Sequence, residues 1–330
     1  MQFQYWAIAV LAGLISCKVY VAYPQVLQLY FQKHPAVYYQ GESINLEILV
    51  KNVSNNPQRL IAPTLGVNVW AKLTHIGTQI VKECKDIITP NYNTQSIRKM
   101  VMGNVDKYGV VVPPQKSLSV WIEVNWQLGN IHPSLKHIPQ SQKSSYAYVL
   151  EPGKYELEVQ YLLDNSGNML TQKEYFEVNG PHQAQQYKEY IQALQQTLTL
   201  SDTEKNYTAL TQFLDKYPSS PYSDNVFSLL IDRGNLQDLS ISTSQYVQYY
   251  YQRIQYGRDI ALMNRLANFQ IFYAATNFAK KDYSFNESEF YSECARLMKQ
   301  HLNPIYLSNF IQNGKLRGIK IFTELAQKFQ

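Results

Sequence analysis

Cysteine is scarce in this chain: three residues in 330, at positions 17, 84 and 294. That excludes the dense disulfide framework on which small secreted domains rely. Charge is scarce too, at 17% of residues. The net charge of +5 is not concentrated: residues 18–180 carry 15 basic and 12 acidic side chains, and residues 181–330 carry 15 and 13. Binding to a nucleic-acid backbone needs clustered Lys and Arg, so pairs such as Arg98-Lys99 and Lys280-Lys281 read as solvated faces and nucleic acid is not an expected partner. There is no His-Glu-x-x-His, Cys-x-x-Cys, Gly-x-x-x-x-Gly-Lys-Ser/Thr, Gly-x-Gly-x-x-Gly or Gly-x-Ser-x-Gly. No cofactor, metal centre or nucleophile elbow is therefore expected, and the chain is not read as an enzyme.

Apolar residues make up 45% of the chain, enough for a sizeable core. The length suits two ordinary domains. The polar side chains are unusual: 27 are Tyr, and Gln is roughly one residue in ten. A surface made polar by amides and phenols rather than by charge suits neutral partners.

Trp6 to Ser16 reads WAIAVLAGLIS, about eleven apolar or small residues. A membrane-spanning helix needs about 20, whereas a signal-peptide core has this shorter length. The run stops at Cys17-Lys18, and MQFQY before it holds no Lys or Arg. Leu14-Ile15-Ser16-Cys17 resembles the lipobox of bacterial lipoproteins. The resemblance implies residues 1–16 as a signal peptide, lipid on the Cys17 sulfur, and residues 17–22 as a short tether. Such a protein is anchored in the bacterial envelope, facing the periplasm or the cell surface. An ordinary signal peptide, giving a secreted chain with Cys17 incidental, is the alternative.

From Tyr23 to Val178 hydrophobicity alternates with period two. Ile44, Leu46, Ile48 and Val50 share a face, as do Leu118, Val120, Ile122 and Val124, and Tyr155, Leu157, Val159 and Tyr161. This predicts half-buried antiparallel strands, with more at 25–32, 67–73 and 170–178. Turn signals at Gln40-Gly41, Pro113-Pro114 and Glu151-Pro152-Gly153 separate them. VYYQGESINLEILVKN (37–52), VVPPQKSLSVWIEV (111–124) and LEPGKYELEVQY (150–161) together resemble bacterial immunoglobulin-like modules. The resemblance implies an antiparallel β-sandwich over residues 23–180, with Tyr155 pinning a sheet corner. Segments 74–106 and 128–145 read as long loops, the usual seats of binding.

After Pro181 the period becomes about 3.6. Ala184, Tyr187, Ile191, Leu194 and Leu198 form one stripe, and Ser201–Glu204 has the form of a capping box. Further helices are expected at 244–256, 258–280, 287–301, 304–313 (ended by Gly314) and 316–329. Residues 181–330 are thus read as an all-α domain of seven or eight helices. ALTQFLDKYPSSPYSDNVFSLL (209–230) resembles the helix pair of tetratricopeptide-type repeats in bacterial envelope proteins, and LMKQHLNPIYLSNFI (297–311) is a fainter echo. One clear copy predicts an irregular helical array rather than a regular solenoid.

Candidate partner-binding residues follow from exposure and chemistry. In QYVQYYYQRIQY (245–256), Tyr246, Tyr250 and Ile254 point one way, leaving Tyr249, Arg253 and Tyr256 for a protein partner; the alternative is that these rings fill gaps between helices. His132 and His137 flank a proline-bounded loop with no carboxylate between Val124 and Val149 to complete a metal set. Trp121 lies opposite the apolar face of its strand and, with Trp126, leaves carbohydrate open as a ligand. Cys84 and Cys294 could pair in an oxidising compartment, or stand as two separate core thiols. Glu156 and Glu158 read as the solvent side of a strand.

These features point to an exported, non-catalytic lipoprotein that binds a protein or serves as a scaffold. A secreted inhibitor or effector acting through the long loops is a second reading, and an enzyme with its site at the domain junction a third. The lipobox makes a direct prediction. The intact mass of the mature protein from its native host should correspond to a chain beginning at Cys17 plus lipid; an unlipidated chain cut elsewhere overturns the anchor.

Overall fold

A computed structural model describes residues 26–84, 94–139, 145–163, 167–199, 207–233, 242–268 and 285–329. The expected signal peptide (1–16), Cys17 with the expected tether (17–22), the Ser201–Glu204 box and residues 269–280 of an expected helix lie outside these. The chain has mixed α and β content, with sheets in its first half and helices in its second.

Twelve strands are described: β1 (Leu27–Phe31), β2 (Val37–Tyr39), β3 (Asn45–Asn52), β4 (Gln58–Leu60), β5 (Val69–His75), β6 (Val81–Cys84), β7 (Val110–Val112), β8 (Ser117–Glu123), β9 (Asn130–Ile131), β10 (Tyr148–Val149), β11 (Gly153–Leu162) and β12 (Met169–Asn179). One sheet runs β1-β3-β8 and a second β2-β12-β11-β5-β6, while β4-β7 and β9-β10 form small pairs. Pairing is antiparallel except between β2 and β12, which run parallel because β2 returns alongside the end of β12. The two large sheets share one core. Leu46, Ile48, Val50 and Ile122 come from the first, and Val69, Ala71, Leu73, Leu157, Val159, Tyr161 and Val178 from the second. These are the alternate positions that period-two patterning requires, each burial worth about 1.5–3 kcal/mol.

Two details show how polar groups are accommodated. The Tyr161 hydroxyl is buried with its ring and donates to the Ile61 carbonyl at 2.6 Å. The Tyr155 hydroxyl donates to the Glu151 carbonyl at 2.6 Å, closing the corner before β11. Gly153, in that corner, has φ +156°, and a Cβ there would lie 2.0 Å from His75 Nε2. Glu156 and Glu158 face outward and pair with Lys173 on β12.

Segment 74–106 is more ordered than a long loop. It contains β6, helix α1 (Thr94–Met102) and the start of α2 (Val105–Tyr108); α3 (Val124–Leu128) continues directly from β8. The helical half contributes, among the described residues, α4 (Ala184–Thr199), α5 (Thr208–Lys216), α6 (Ser223–Arg233), α7 (Thr243–Tyr256), α8 (Ile260–Ala267), α9 (Glu287–His301), α10 (Pro304–Leu316) and α11 (Ile321–Phe329). The starts of α7, α8, α9 and α10 carry side-chain caps. Ser242 and Gln245 make a reciprocal capping box, and Asp259, Asn286 and Asn303 each accept from backbone N–H groups in the first turn. Tyrosine fills this core alongside Leu: Tyr190, Tyr222, Tyr246, Tyr249, Tyr250 and Tyr291 are all buried. Tyr190 and Tyr222 stack at 4.8 Å and 9°.

Cys84 belongs to the sheet core and Cys294 to the helical core. Both are buried and no disulfide joins them, so they act as small apolar residues. Burial pushes the Cys294 thiol well above its ordinary range.

Gly314 does not end α10. The helix continues to Leu316, and the missing side chain admits the Phe322 ring of α11, 2.2 Å from where a Cβ would sit. Ala for Gly in a helix gains about 1 kcal/mol of propensity. Here Phe322 is fully buried and the ring has nowhere to go. Gly314→Ala should therefore destabilise by about 1–3 kcal/mol in urea unfolding. Gly180→Ala, where a Cβ meets nothing within 4 Å, should change little.

Candidate functional site at the junction of the halves

The chain crosses from sheet to helix at Pro181, and the turn Tyr39–Glu42 sits beside that crossing: the Gln40 N–H donates to the Asn179 carbonyl at 2.9 Å and the Tyr39 ring lies 4.7 Å from the His182 ring. This turn is a main contact between the halves. Gly41 takes φ +91°, and a Cβ there would press on the Tyr187 ring at 2.7 Å. The turn therefore needs glycine for its conformation and for the approach. The Gly41 carbonyl accepts from Asn225 Nδ2 at 2.8 Å and from the Tyr190 hydroxyl at 3.2 Å. Asn225 Oδ1 accepts from the Ser43 N–H at 3.2 Å. One α6 side chain thus satisfies two backbone groups of the sheet half.

Helix α6 is buried on nearly every side, so its polar residues must find partners. Asp224 Oδ1 accepts from Arg253 Nη1 of α7 at 2.9 Å. Asp224 Oδ2 accepts from the Arg258 and Asp259 N–H groups at 2.6 and 2.9 Å. Arg253 also donates to the Pro218 carbonyl. The backbone so held aims two side chains at the sheet half. Arg258 Nε donates to Glu42 Oε1 at 2.7 Å and Arg258 Nη2 to the Val37 carbonyl at 2.6 Å. Asp259 Oδ2 accepts from Asn45 Nδ2 at 2.9 Å while its Oδ1 caps α8. Burial raises the Glu42 carboxyl to about 7 against the pull of Arg258. Burial, with the Asp224 charge behind it, raises Asp259 to about 7.

Beside this lock a cavity of about 370 Å³ opens, walled by both halves. The sheet half supplies Asn45, Trp121, Glu123 and Trp126; the helical half supplies Asp232, Asp259 and Arg265. The strand β8 ends at Glu123 and turns at once into α3, which places Trp121, Glu123 and Trp126 on one rim. Trp126 is 41% exposed, its ring set edge-on to Tyr148 at 4.9 Å and 80°. Asp232 accepts from Arg265 Nη2 at 2.5 Å and from the Tyr146 hydroxyl at 3.0 Å. Partial burial raises the Glu123 carboxyl, Asp232 adds to the effect and Arg265 opposes it.

Of the residues singled out in the sequence, Trp121 and Trp126 reach this cleft. Tyr249 and Arg253 do not reach a surface: both are fully buried, Tyr249 donating to Asp215 at 2.7 Å and Arg253 paired with Asp224. Arg253 turns inward because α6 offers it a buried carboxylate. Tyr256 is 42% exposed at the last turn of α7, outside the cleft. The His132 ring lies against Tyr187 at 5.8 Å, and burial lowers its pKa. His137 is exposed after a short 3-10 turn, Pro133–Leu135. Among the described residues no group of three or more His, Cys, Asp or Glu could hold a metal, and no helix is long and apolar enough to cross a membrane. The sequence reading missed Glu42, Asn45, Glu123, Asp232, Asp259 and Arg265. Only Glu42 carried a local signal, its place in the Gly-Glu turn.

No family model matches the sequence, and no curated protein matches it. Solved structures similar in part include a β-glucosidase from Listeria innocua in complex with gluconolactone, at TM-score 0.26 and 15% identity, covering 47% of this chain and 16% of that one. A family 123 glycoside hydrolase from Clostridium perfringens gives TM-score 0.24 and 13% identity over 58% of this chain and 36% of that one. An alkylpurine DNA glycosylase from Pseudomonas fluorescens bound to DNA gives TM-score 0.24 and 14% identity over 47% and 30%. The chain thus spans well under half of each, and likeness at this level carries no argument about function.

The lock has a pH signature. Glu42 and Asp259 bind protons more tightly folded, at about 7, than in an unfolded chain, near their ordinary values of 4.5 and 3.8. Their contribution is full below the unfolded values and is lost as pH rises through about 7. Thermal stability should fall between about pH 4.5 and pH 7 and level off above, and Asp259→Asn should flatten that slope. An unchanged slope in the variant would assign the dependence elsewhere.

Proposed function

We propose that the chain is an exported, lipid-anchored binding or scaffold protein of the bacterial envelope, with an immunoglobulin-like sandwich clamped to a partly tetratricopeptide-like helical module. The observation that carries this reading is the junction. Glu42–Arg258, Asn45–Asp259 and Gly41–Asn225 join the halves through buried and part-buried polar contacts, and a cleft walled by both halves opens beside them. A mere spacer between domains does not need such a lock, whereas a ligand held between two modules does. Support for the sandwich comparison comes from the shared core of two sheets and the Tyr155 corner bond. Support for the repeat comparison comes from α5 and α6, joined by the short turn through Pro218. Cys17, Lys18 and their apolar leader remain the basis for the anchor.

A second reading, an enzyme at the same junction, draws on the raised Glu123 carboxyl beside the Arg-paired Asp232. A carboxyl whose pKa is raised beside a second carboxylate is an arrangement suited to acid–base chemistry.

The test places a photo-crosslinker in the native host at Trp126, on the cleft, and at Leu316, 74% exposed on α10. Discrete adducts should form from the cleft position and not from Leu316. No adduct at Trp126, or the same adducts from both, overturns the binding role. Turnover of a chromogenic ester or glycoside by the purified chain, lost in Glu123→Gln, would replace binding with the enzyme reading.

A further inference from the structure

We propose that the junction cleft is a carbohydrate site, taking a neutral sugar of one or two rings that lies against Trp126 and Trp121 and is held by hydrogen bonds to Asp232, Glu123, Asn45 and Arg265. This rests on the reading of the cleft as a binding site and names its ligand class.

The argument begins with Trp126. A large apolar ring 41% exposed on a cavity rim is costly to leave in water, and this one is braced edge-on by Tyr148 rather than folded into the core. A braced indole with a second indole, Trp121, on the same wall gives a rigid apolar platform. A pyranose presents a flat face of C–H groups on one side and hydroxyls around its edge. It therefore needs apolar surface beneath and hydrogen-bonding groups at the perimeter, and the cleft supplies both.

The perimeter chemistry narrows the ligand further. Asp232 is bound to Arg265 and Tyr146, and Asp259 is engaged by Asn45 and the start of α8. Glu123 makes no hydrogen bond or ion pair with another side chain among the described residues. Three carboxylates against one guanidinium disfavour a phosphate, a nucleic acid or an acidic peptide. Two of the three are already committed to donors, so the site lacks the concentrated negative charge that a polycation would seek. What remains is a set of acceptors, with amide and guanidinium donors, matched to neutral hydroxyls, each of which both donates and accepts. The cavity of about 370 Å³ lies at the small end of ligand pockets, the scale of a mono- or disaccharide rather than a folded partner. The low-charge, Gln- and Tyr-rich composition agrees with a neutral ligand.

The test uses the detergent-solubilised full chain. It is screened on a glycan array, then titrated with the bound glycan class or, as defined probes, with cellobiose, maltose and chitobiose, followed by calorimetry and tryptophan fluorescence. Oligolysine and inorganic phosphate serve as comparison ligands. The expected result is saturable binding of a neutral glycan, weakened at least about tenfold in Trp126→Ala and in Asp232→Asn and unchanged in Trp70→Phe, whose ring sits under Arg98 away from the cleft. Trp126 is on the rim, so its variant should keep the wild-type melting temperature, and circular dichroism checks this. No glycan bound, or binding indifferent to Trp126→Ala and Trp121→Ala, overturns the proposal. Binding of oligolysine that depends on Trp126 would overturn the sugar assignment while leaving the cleft a binding site. Should no probe bind and no adduct form at Trp126 in the host, both fall together.

Discussion

The carboxylate of Asp224 is the point on which the rest of the structure turns. Buried on α6, it accepts from the Arg253 guanidinium and from two consecutive backbone N–H groups ahead of α8. A buried charge is tolerable only when its lone pairs are used, and here at least three donors use them. The consequence reaches beyond α6. With residues 258 and 259 held in place, Arg258 points at Glu42 and Asp259 at Asn45, so the packing of two helices fixes how the helical half meets the sheet half. Removing Asp224 would leave Arg253 buried with its charge unmatched, and the cleft beside the junction would lose the alignment of its walls.

The same logic explains the unusual tyrosine content. In the helical core, rings occupy the volume that Leu or Phe would fill, but each hydroxyl needs a partner once buried. Tyr190 reaches the Gly41 carbonyl and Tyr250 the Leu266 carbonyl, while Tyr249 reaches Asp215. Tyrosine therefore does two things here: it fills space and it ties helices to particular backbone atoms. That specificity suits a junction in which a shift of an ångström would misplace both walls of a cleft.

Much of the architecture was legible in the chain. Alternation at Leu46, Ile48 and Val50 and at Tyr155, Leu157 and Val159 marked the strands, because a pleated strand half-buried against a core has no other pattern. The change to a 3.6 period after Pro181 marked the helices. The reading failed where side chains choose partners across distance. Tyr249 and Arg253 lie on the polar side of α7 in a helical projection, so they read as exposed; a buried Asp224 on another helix draws Arg253 inward. Gly314 read as a helix stop, whereas the close approach of Phe322 is what requires it. Among the candidate residues Trp121 and Trp126 reach the cleft, because the direction of the strand that carries Trp121 and leads to Trp126 was readable, whereas the opposite wall was not.

By itself the sequence determined the main alternating strands, the change to helices after Pro181 and the short apolar run that stops at Cys17. These follow from local periodicity and from the length of an apolar run, which act between neighbours along the chain. Tertiary structure alone decided that Glu42 meets Arg258, that Asn45 meets Asp259, and that Trp126 and Asp232 face one cavity. Those pairs are separated by more than a hundred residues, and no periodicity encodes which polar group must leave water to satisfy another. That choice is made only when two surfaces close and every buried donor and acceptor must be matched.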